Sequence, residues 1–181
     1  MPEKHQNRLR SAKPLLFLDI DGVISLFGFR EGYGLAAGDA SFQGCPPGGL
    51  HSINGVLHYI STGCAAHLER LAGRYELVWA SGWEETANEY LPHLLGLPGE
   101  LPYLRFDGRV RAGPAHWKID AIAEYAGDRP LAWIDDALDA DCHAWAERRA
   151  APTLLVPTDP QVGLTRREAD LLMGWAQALG R

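Results

Sequence analysis

Cysteine is scarce in this chain of 181 residues, which has three cysteines and no Cys-x-x-Cys pair of the kind that builds zinc or redox sites. Cys45, Cys64 and Cys142 are far apart along the sequence. We therefore expect reduced thiols in a cytoplasmic protein and not a disulfide framework. The seven histidines also lack the spacing of paired metal ligands, so most of them are expected to be ordinary surface or core residues.

Long apolar runs and an excess of positive charge are also missing. No apolar run is long enough to span a bilayer, so no membrane partner is expected. The formal net charge of -6 argues against a basic surface that coats duplex nucleic acid, although it is compatible with a local basic pocket. Residues 1–13 are polar and basic without the apolar stretch of a signal peptide, and they predict a disordered leader ahead of one domain over residues 14–181.

The hydrophobic residues that are present, 46% of the chain, are enough to bury one core, and they alternate between two patterns. Unbroken apolar runs predict buried strands, and apolar residues at helical spacing predict helices. The predicted strands are 15–18, 76–80, 131–134 and 154–156. The predicted helices are 65–72, 84–95, 117–125 and a last helix from Thr165. In this last helix, the apolar residues Leu171, Trp175 and Leu179 repeat at helical spacing. This alternation predicts an α/β fold, a three-layer Rossmann-like sandwich with a mostly parallel central sheet.

Residues 28–63 have a different composition. Nine of the 20 glycines lie there, together with Pro46 and Pro47, and such a composition prevents a regular helix. We expect a loop or flap with a short hairpin, in which residues 58–60 form one short strand.

Two pairs of carboxylates come directly after predicted buried strands. Asp19 and Asp21 follow Leu-Leu-Phe-Leu, and Asp135-Asp136 follows Leu-Ala-Trp-Ile. In a parallel sheet, ligands bind at the carboxyl ends of the strands, so these side chains are expected to converge. Close carboxylates in a partly desolvated site must take up protons or bind a cation, and an all-oxygen cluster beside phosphate suits Mg²⁺. The simpler alternative, in which Asp19 and Asp135 are helix N-caps, is weakened because the pattern occurs twice.

Two further features are weak signals when each is taken alone. Ser81-Gly82, after a strand and before a helix, resembles an anion-binding corner, but a serine N-cap would have the same sequence. Lys118 by itself is ordinary for the exposed face of a helix. Their order along the chain is what makes them informative.

The segments FLDIDGV, LVWASGW, WKID and WIDDALDAD, between Phe17 and Asp141, resemble in this order the haloacid dehalogenase-like (HAD) superfamily. WASGWEE, PLAWIDD and TLLVPTDPQVGLT are also similar to a small HAD branch seen beside RNA-repair enzymes. A two-component receiver domain also uses acidic residues and a lysine, but its lysine follows the last strand, whereas Lys118 precedes the Asp135-Asp136 strand. The resemblance implies a magnesium-dependent phosphatase that hydrolyses a phosphate monoester.

The resemblance implies a role for each aspartate of the first motif. Asp19 would be the nucleophile, forming an aspartyl-phosphate. Asp21 would protonate the leaving oxygen and later deprotonate water, while its backbone carbonyl would help to bind magnesium. Because Asp21 is present, phosphoryl transfer is implied and not the attack on carbon that dehalogenases perform.

The resemblance assigns the remaining motifs to the phosphate and the metal. Ser81 and the Gly82 N–H would hold the phosphoryl oxygens, and Lys118 would neutralise charge on the nucleophile and the transferred group. Asp135 and Asp136 would hold magnesium together with Asp19 and Asp21, and the sequence leaves open which of the pair is the direct ligand.

The spaces between the motifs are too short for a large cap domain, so an essentially capless site with a glycine-rich flap is expected. Trp83, beside the phosphate corner, would stack on a base or pack under the flap. We expect a phosphate on a nucleotide or nucleic-acid end as substrate, without extended duplex binding. Two alternatives remain: a phosphatase of another small phosphorylated metabolite, and a non-catalytic domain that binds phosphate or a partner. An oligomer is compatible with the sequence.

Overall fold

The structure is a computed structural model that describes residues 13–28 and 46–180. Of the predicted leader, all but Lys13 lies outside the described residues, as do residues 29–45 of the predicted flap. The predictions for those segments therefore stay predictions.

The elements follow one another in the expected alternation. The strands are β1 (Leu15–Leu18), β2 (Ser25–Leu26), β3 (Gly48–Ile53), β4 (Val56–Ser61), β5 (Glu76–Trp79), β6 (Leu131–Asp135) and β7 (Thr153–Pro157). The helices are α1 (Ala65–Ala72), α2 (Thr86–Leu95), α3 (Ile119–Ala126), α4 (Ala140–Arg148) and α5 (Arg166–Leu179), with a short 3₁₀ helix, Ala115–Lys118, before α3. None of the helices in the described ranges is both long and apolar enough to cross a membrane.

A parallel sheet in the order β5-β1-β6-β7 forms the centre of the described chain. Leu18 of β1 pairs with Trp79 on one side and Ile134 on the other, so the carboxyl ends of three neighbouring strands are level. The strand sequences are continuously apolar because both faces of the sheet are covered. The predicted α/β sandwich with a mostly parallel sheet is confirmed.

Helices pack on both faces and produce the three layers. Within β1, Leu16 and Leu18 point into the core beneath α1, α2 and α5, whereas Leu15 and Phe17 point into the core beneath α3 and α4. This division follows from the alternation of side chains along a strand. Fully burying each side chain of this size contributes about 1.5–3 kcal/mol, so both faces hold the sheet in place.

The last helix begins as predicted, but one of its three predicted apolar positions is exposed. Thr165 and Glu168 form the capping box. Ala169 and Leu172 are the fully buried side chains, while Leu171, which the sequence placed on the apolar face, is 52% exposed. Trp175, another predicted position, is partly buried and packs against the same core, so the prediction was wrong at Leu171, where the adjacent Leu172 is buried instead.

The described residues also form a second, antiparallel sheet in the order β2-β4-β3. Its hairpin turns at Asn54-Gly55, where φ is 50° and 80°, as the favoured two-residue hairpin turn requires. The hairpin expected in the glycine-rich region is thus present. Its second strand, β4, is longer than the strand predicted at 58–60. Because β2 follows Asp21 closely and pairs with β4, Ser25 opposite Ile60, the hairpin lies beside the site.

Candidate active site

Polar side chains from three neighbouring strand ends meet at one edge of the parallel sheet. Asp19 follows β1, Asp135 ends β6 and Ser81 comes two residues after β5. They border a cavity of about 600 Å³. Every site residue named from the sequence lines this cavity: Asp19, Asp21, Ser81, Gly82, Trp83, Lys118, Asp135 and Asp136. The topology therefore gathers the separate motifs into one place.

Lys118 joins two of the buried carboxylates. It ends the 3₁₀ helix, and its Nζ lies 2.8 Å from Asp19 Oδ2 and 2.7 Å from Asp135 Oδ2. The three side chains are 4%, 9% and 0% exposed, respectively. Burial lowers the pKa of Lys118, but the charges of Asp19 and Asp135 outweigh it and leave that pKa above its ordinary value. The ammonium group is therefore charged where it borders the cavity.

Asp135 is held on both of its oxygens by protein donors. Oδ1 accepts the Ala137 N–H at 2.9 Å, and Oδ2 accepts the indole N–H of Trp133 at 3.2 Å in addition to Lys118. The indole of Trp133 is fully buried. With these contacts, Asp135 keeps Lys118 directed at Asp19.

Asp136 is placed differently from its neighbour. Within the described residues, its carboxylate accepts no hydrogen bond from another side chain, and it lies directly against Gly22. A Cβ at Gly22 would stand 2.3 Å from Asp136 Cγ, and the φ of Gly22 is +73°. Glycine is required there for both reasons. Burial, followed by the charge of the adjacent Asp135, raises the pKa of Asp136.

The donor set fits a hard divalent cation. Carboxylate oxygens of Asp19, Asp135 and Asp136 lie within 4.8 Å of one another. Burial raises the pKa of Asp19 to about 7, although Lys118 acts in the opposite direction. If they were all ionised, the three carboxylates would outnumber the single ammonium group, and a cation with oxygen ligands such as Mg²⁺ would balance the difference in charge. The side chain of Asp21 lies outside this group of three.

Asp21 occupies the open side of the cavity, where its side chain is 48% exposed. Its Oδ2 accepts the indole N–H of Trp83 at 3.0 Å, and its Oδ1 lies 3.8 Å from Nδ1 of His58. The His58 and Trp83 rings meet edge to face, with their centroids 4.7 Å apart. Nothing in the sequence singled out His58; the Asn54-Gly55 turn signals a hairpin, but only strand pairing places that histidine here.

The Ser81-Gly82 corner lies beneath a loop formed by residues 107–113, which we call the arginine loop. A Cβ at Gly82 would stand 2.6 Å from Val110 Cγ1, so the loop crosses directly over the glycine. Arg111 of this loop lines the cavity and forms no ion pair with a described residue. Sequence reasoning missed Arg111, although three arginines within residues 105–111 of an acidic chain were an available signal.

The sequence was compared with known proteins and protein families. No curated protein matches the chain. Residues 15–169 match the family described as the HAD domain in Swiss Army Knife RNA repair proteins. The match includes β1 through β7 and every residue named above as a site residue. The expected resemblance is thereby confirmed: this chain belongs to that family of HAD domains and is a hydrolase of the HAD type.

Proposed function

We propose that the protein is a magnesium-dependent phosphatase that hydrolyses a phosphate monoester through an aspartyl-phosphate on Asp19. The observation that carries the proposal is the buried Asp19–Lys118–Asp135 arrangement at the cavity wall. A carboxylate held by one ammonium group and open to a cavity suits nucleophilic attack on phosphorus. A purely binding pocket would not need both Asp19 and Asp21.

In the first step, an Asp19 carboxylate oxygen attacks phosphorus and the phosphorus–ester oxygen bond breaks. Asp21 gives its proton to the departing oxygen, which leaves as an alcohol. In the second step, water attacks phosphorus, Asp21 takes a proton from that water, and the bond to Asp19 breaks to release inorganic phosphate. General acid–base help of this kind contributes about 10²–10⁴-fold.

The phosphoryl group would be held by preformed donors at the sheet edge. Ser81 is 2% exposed at the cavity wall, and the Gly82 N–H adjoins it. Lys118 neutralises charge that develops on the transferred oxygens. Donors already in position need little reorganisation as charge develops, which is why such groups accelerate phosphoryl transfer.

We assign direct metal ligation to Asp136 and Asp19, with the backbone carbonyl of Asp21. Asp135 has both oxygens engaged by protein donors and is fully buried, so its role is to orient Lys118 and to support the metal indirectly. Magnesium, when bound, supplies positive charge next to the phosphoryl oxygens. Between Asp135 and Asp136, which the sequence left open, the proposal favours Asp136 as the direct ligand.

As substrate we propose a phosphate on a nucleotide or a nucleic-acid end. The family description supports this class, and so does the cavity, because Phe27, Trp83 and Trp117 line it. Aromatic faces favour bases, and Arg111 provides a positive charge at the cavity for an adjacent phosphate. The net charge of -6 limits the footprint to one or a few nucleotides.

We also propose that residues 14–181 act as one domain in the cytoplasm. The described elements pack on the two faces of one parallel sheet, which supports a single domain. Cys64 and Cys142 are free and buried, which suits a reducing compartment.

The decisive experiment is a phosphate-release screen in Mg²⁺ and in chelator. Its substrates are an aryl phosphate, sugar phosphates, nucleotides, and oligonucleotides phosphorylated at the 5′ or 3′ end. We expect the highest kcat/KM on nucleotides or oligonucleotide ends, with activity lost in chelator and restored by Mg²⁺. Full activity in chelator would contradict the metal role, and a preference for sugar phosphates would favour the small-metabolite alternative.

A further inference from the structure

The carboxylate of Asp21 is held by fewer contacts than that of Asp19. Asp19 accepts a backbone N–H at 2.8 Å on Oδ1 and Lys118 on Oδ2, and it is almost fully buried. The side chain of Asp21 is 48% exposed. Among the described residues, its one hydrogen-bond donor is the indole N–H of Trp83, which Oδ2 accepts. A group that must deliver a proton in one direction needs its orientation restricted, and here that restriction comes from Trp83.

Trp83 is in turn held by the second sheet. The ring of His58, on β4, packs edge to face against the indole, with an interplanar angle of 68°. Nδ1 of His58 lies 2.9 Å from Oγ of Ser25, which is buried on β2. The orientation of Asp21 therefore depends on the loop after β5 and on both the β2 and β4 strands.

The chemistry of the donor makes the arrangement directional. An indole N–H can donate a hydrogen bond but has no site that accepts a proton, so Trp83 cannot take the Asp21 proton. With Oδ2 occupied by the indole, Oδ1 is the oxygen left to carry the proton. Nδ1 of His58, at 3.8 Å, is too far from Oδ1 to form a hydrogen bond that would compete with the substrate.

We propose that Trp83 and His58 are positioning residues that hold the Asp21 carboxylate so that Oδ1 faces the leaving group. The inference rests on the proposed function, since it concerns the acid–base step of that reaction. It uses the indole N–H, whereas stacking on a base would use the aromatic ring, so the two roles can be tested separately. Catalytic contact with the substrate remains with Asp21.

The proposal has a signature that a general structural role would lack. A poor leaving group, such as the alkoxide of an alkyl phosphate, needs its proton in the transition state, whereas an aryl phosphate with an acidic phenol leaves with little help. Loss of Asp21 orientation should therefore reduce alkyl phosphate hydrolysis far more than aryl phosphate hydrolysis. A loosened or partly unfolded site would reduce both equally.

The test compares Trp83→Phe, which keeps an aromatic ring and removes the N–H, with Trp79→Phe. Trp79 also donates its indole N–H at 3.0 Å, but to Asn88, so the same chemical change is made away from Asp21. We expect Trp83→Phe to lower kcat/KM on an alkyl phosphate by about 10–100-fold, the scale of a misplaced catalytic group, with a much smaller change on an aryl phosphate. Trp79→Phe should leave the ratio of the two substrates unchanged.

His58→Ala keeps the test informative if Trp83→Phe folds poorly, and a double variant tests whether Trp83 acts through Asp21. His58→Ala should shift the ratio in the same direction by a smaller factor, because the indole remains but loses its support. In an Asp21→Asn background, Trp83→Phe should cause no further loss on the alkyl phosphate, since the residues act as a unit. Equal losses on both substrates, an unchanged ratio, or additive losses with Asp21→Asn would overturn the proposal. A wild type inactive on both substrates would instead overturn the proposed function and, with it, this inference.

Discussion

The closed side of the site, Asp19, Lys118 and Asp135, differs from the open side, Asp21, Trp83 and His58, in how the charges are held. On the closed side, each side chain is less than a tenth exposed and an ion pair joins it to its neighbour. On the open side, Asp21 is half exposed and is held by one neutral donor.

The difference follows from where the two sides stand in the fold. On the closed side, Asp19 and Asp135 stand at the ends of adjacent central strands and Lys118 reaches them from the 3₁₀ helix. Charges interact strongly there because little water lies between them. The open side belongs to loops and the second sheet, where water screens charge. A nucleophile benefits from a fixed, charged environment, whereas a group that exchanges protons with a leaving group and with water must remain accessible.

The largest expected effect comes from removing Asp19, the proposed nucleophile on the closed side. Asp19→Asn should lower phosphatase turnover by about 10⁶-fold, the scale seen when an enzyme loses its nucleophile. Thermal unfolding should show a folded protein. Beryllofluoride should bind the wild type as an acyl-phosphate mimic and should not bind this variant. Retained turnover in well-folded Asp19→Asn would contradict the covalent route.

The next effect concerns the stability of the closed side. Lys118→Met leaves Asp19 and Asp135 buried without their cation, and removing one partner of a buried ion pair costs about 3–5 kcal/mol. Denaturant unfolding in chelator should show this loss. Adding Asp135→Asn should recover part of the stability but no activity. A Lys118→Met variant as stable as the wild type would show that the two sides are not held differently.

A smaller effect separates the adjacent acidic residues. Asp135→Asn should raise the Mg²⁺ concentration for half-maximal activity by about 10–100-fold, the scale for residues that support a metal ligand indirectly. Asp136→Asn should raise this concentration further, because Asp136 is the proposed direct ligand. Asp135→Asn should in addition lower the melting temperature, because Lys118 loses a partner. Magnesium titrations and thermal unfolding of both variants measure this; the reverse order of metal effects would exchange the two assignments.

On the open side, substrate preference should respond to the indole ring. Trp83→Ala should reduce the preference for nucleotides over sugar phosphates by about 1–3 kcal/mol, the value of stacking on one base. Trp83→Phe should keep most of that preference because its ring can still stack. The measurement is kcat/KM for matched substrates. If neither variant changes the ranking, a base does not stack on residue 83.

The smallest effect is expected at the arginine loop. Arg111→Gln should lower the ratio of kcat/KM for a phosphorylated dinucleotide to kcat/KM for a mononucleotide. The expected loss corresponds to about 0.2–1 kcal/mol of transition-state binding, because an exposed ion pair with a second phosphate is weak. Arg109→Gln is the matched control, since Arg109 is exposed in the same loop but does not line the cavity. Equal effects of both substitutions would indicate general charge and not a specific phosphate contact.

The sequence by itself determined the architecture and which motifs meet at the candidate site. Continuous apolar runs mark strands that are covered on both faces, and Asp19, Ser81 and Asp135 follow three of them. Because strand ends in a parallel sheet share an edge, the position of each motif in the sequence was enough to predict that these side chains meet. The capping box at Thr165 was likewise readable, since it depends on neighbours three residues apart.

Tertiary structure alone decided how the carboxylates are held. The indole of Trp83 reaches Asp21 across 62 positions, and His58 reaches Ser25 across 33, so no local pattern reveals either contact. The distinction between Asp135 and Asp136 has the same origin: one side chain turns toward Lys118 and Trp133, and its neighbour turns toward Gly22. Residue type and spacing predict which groups converge, but the direction of each side chain depends on packing between distant segments.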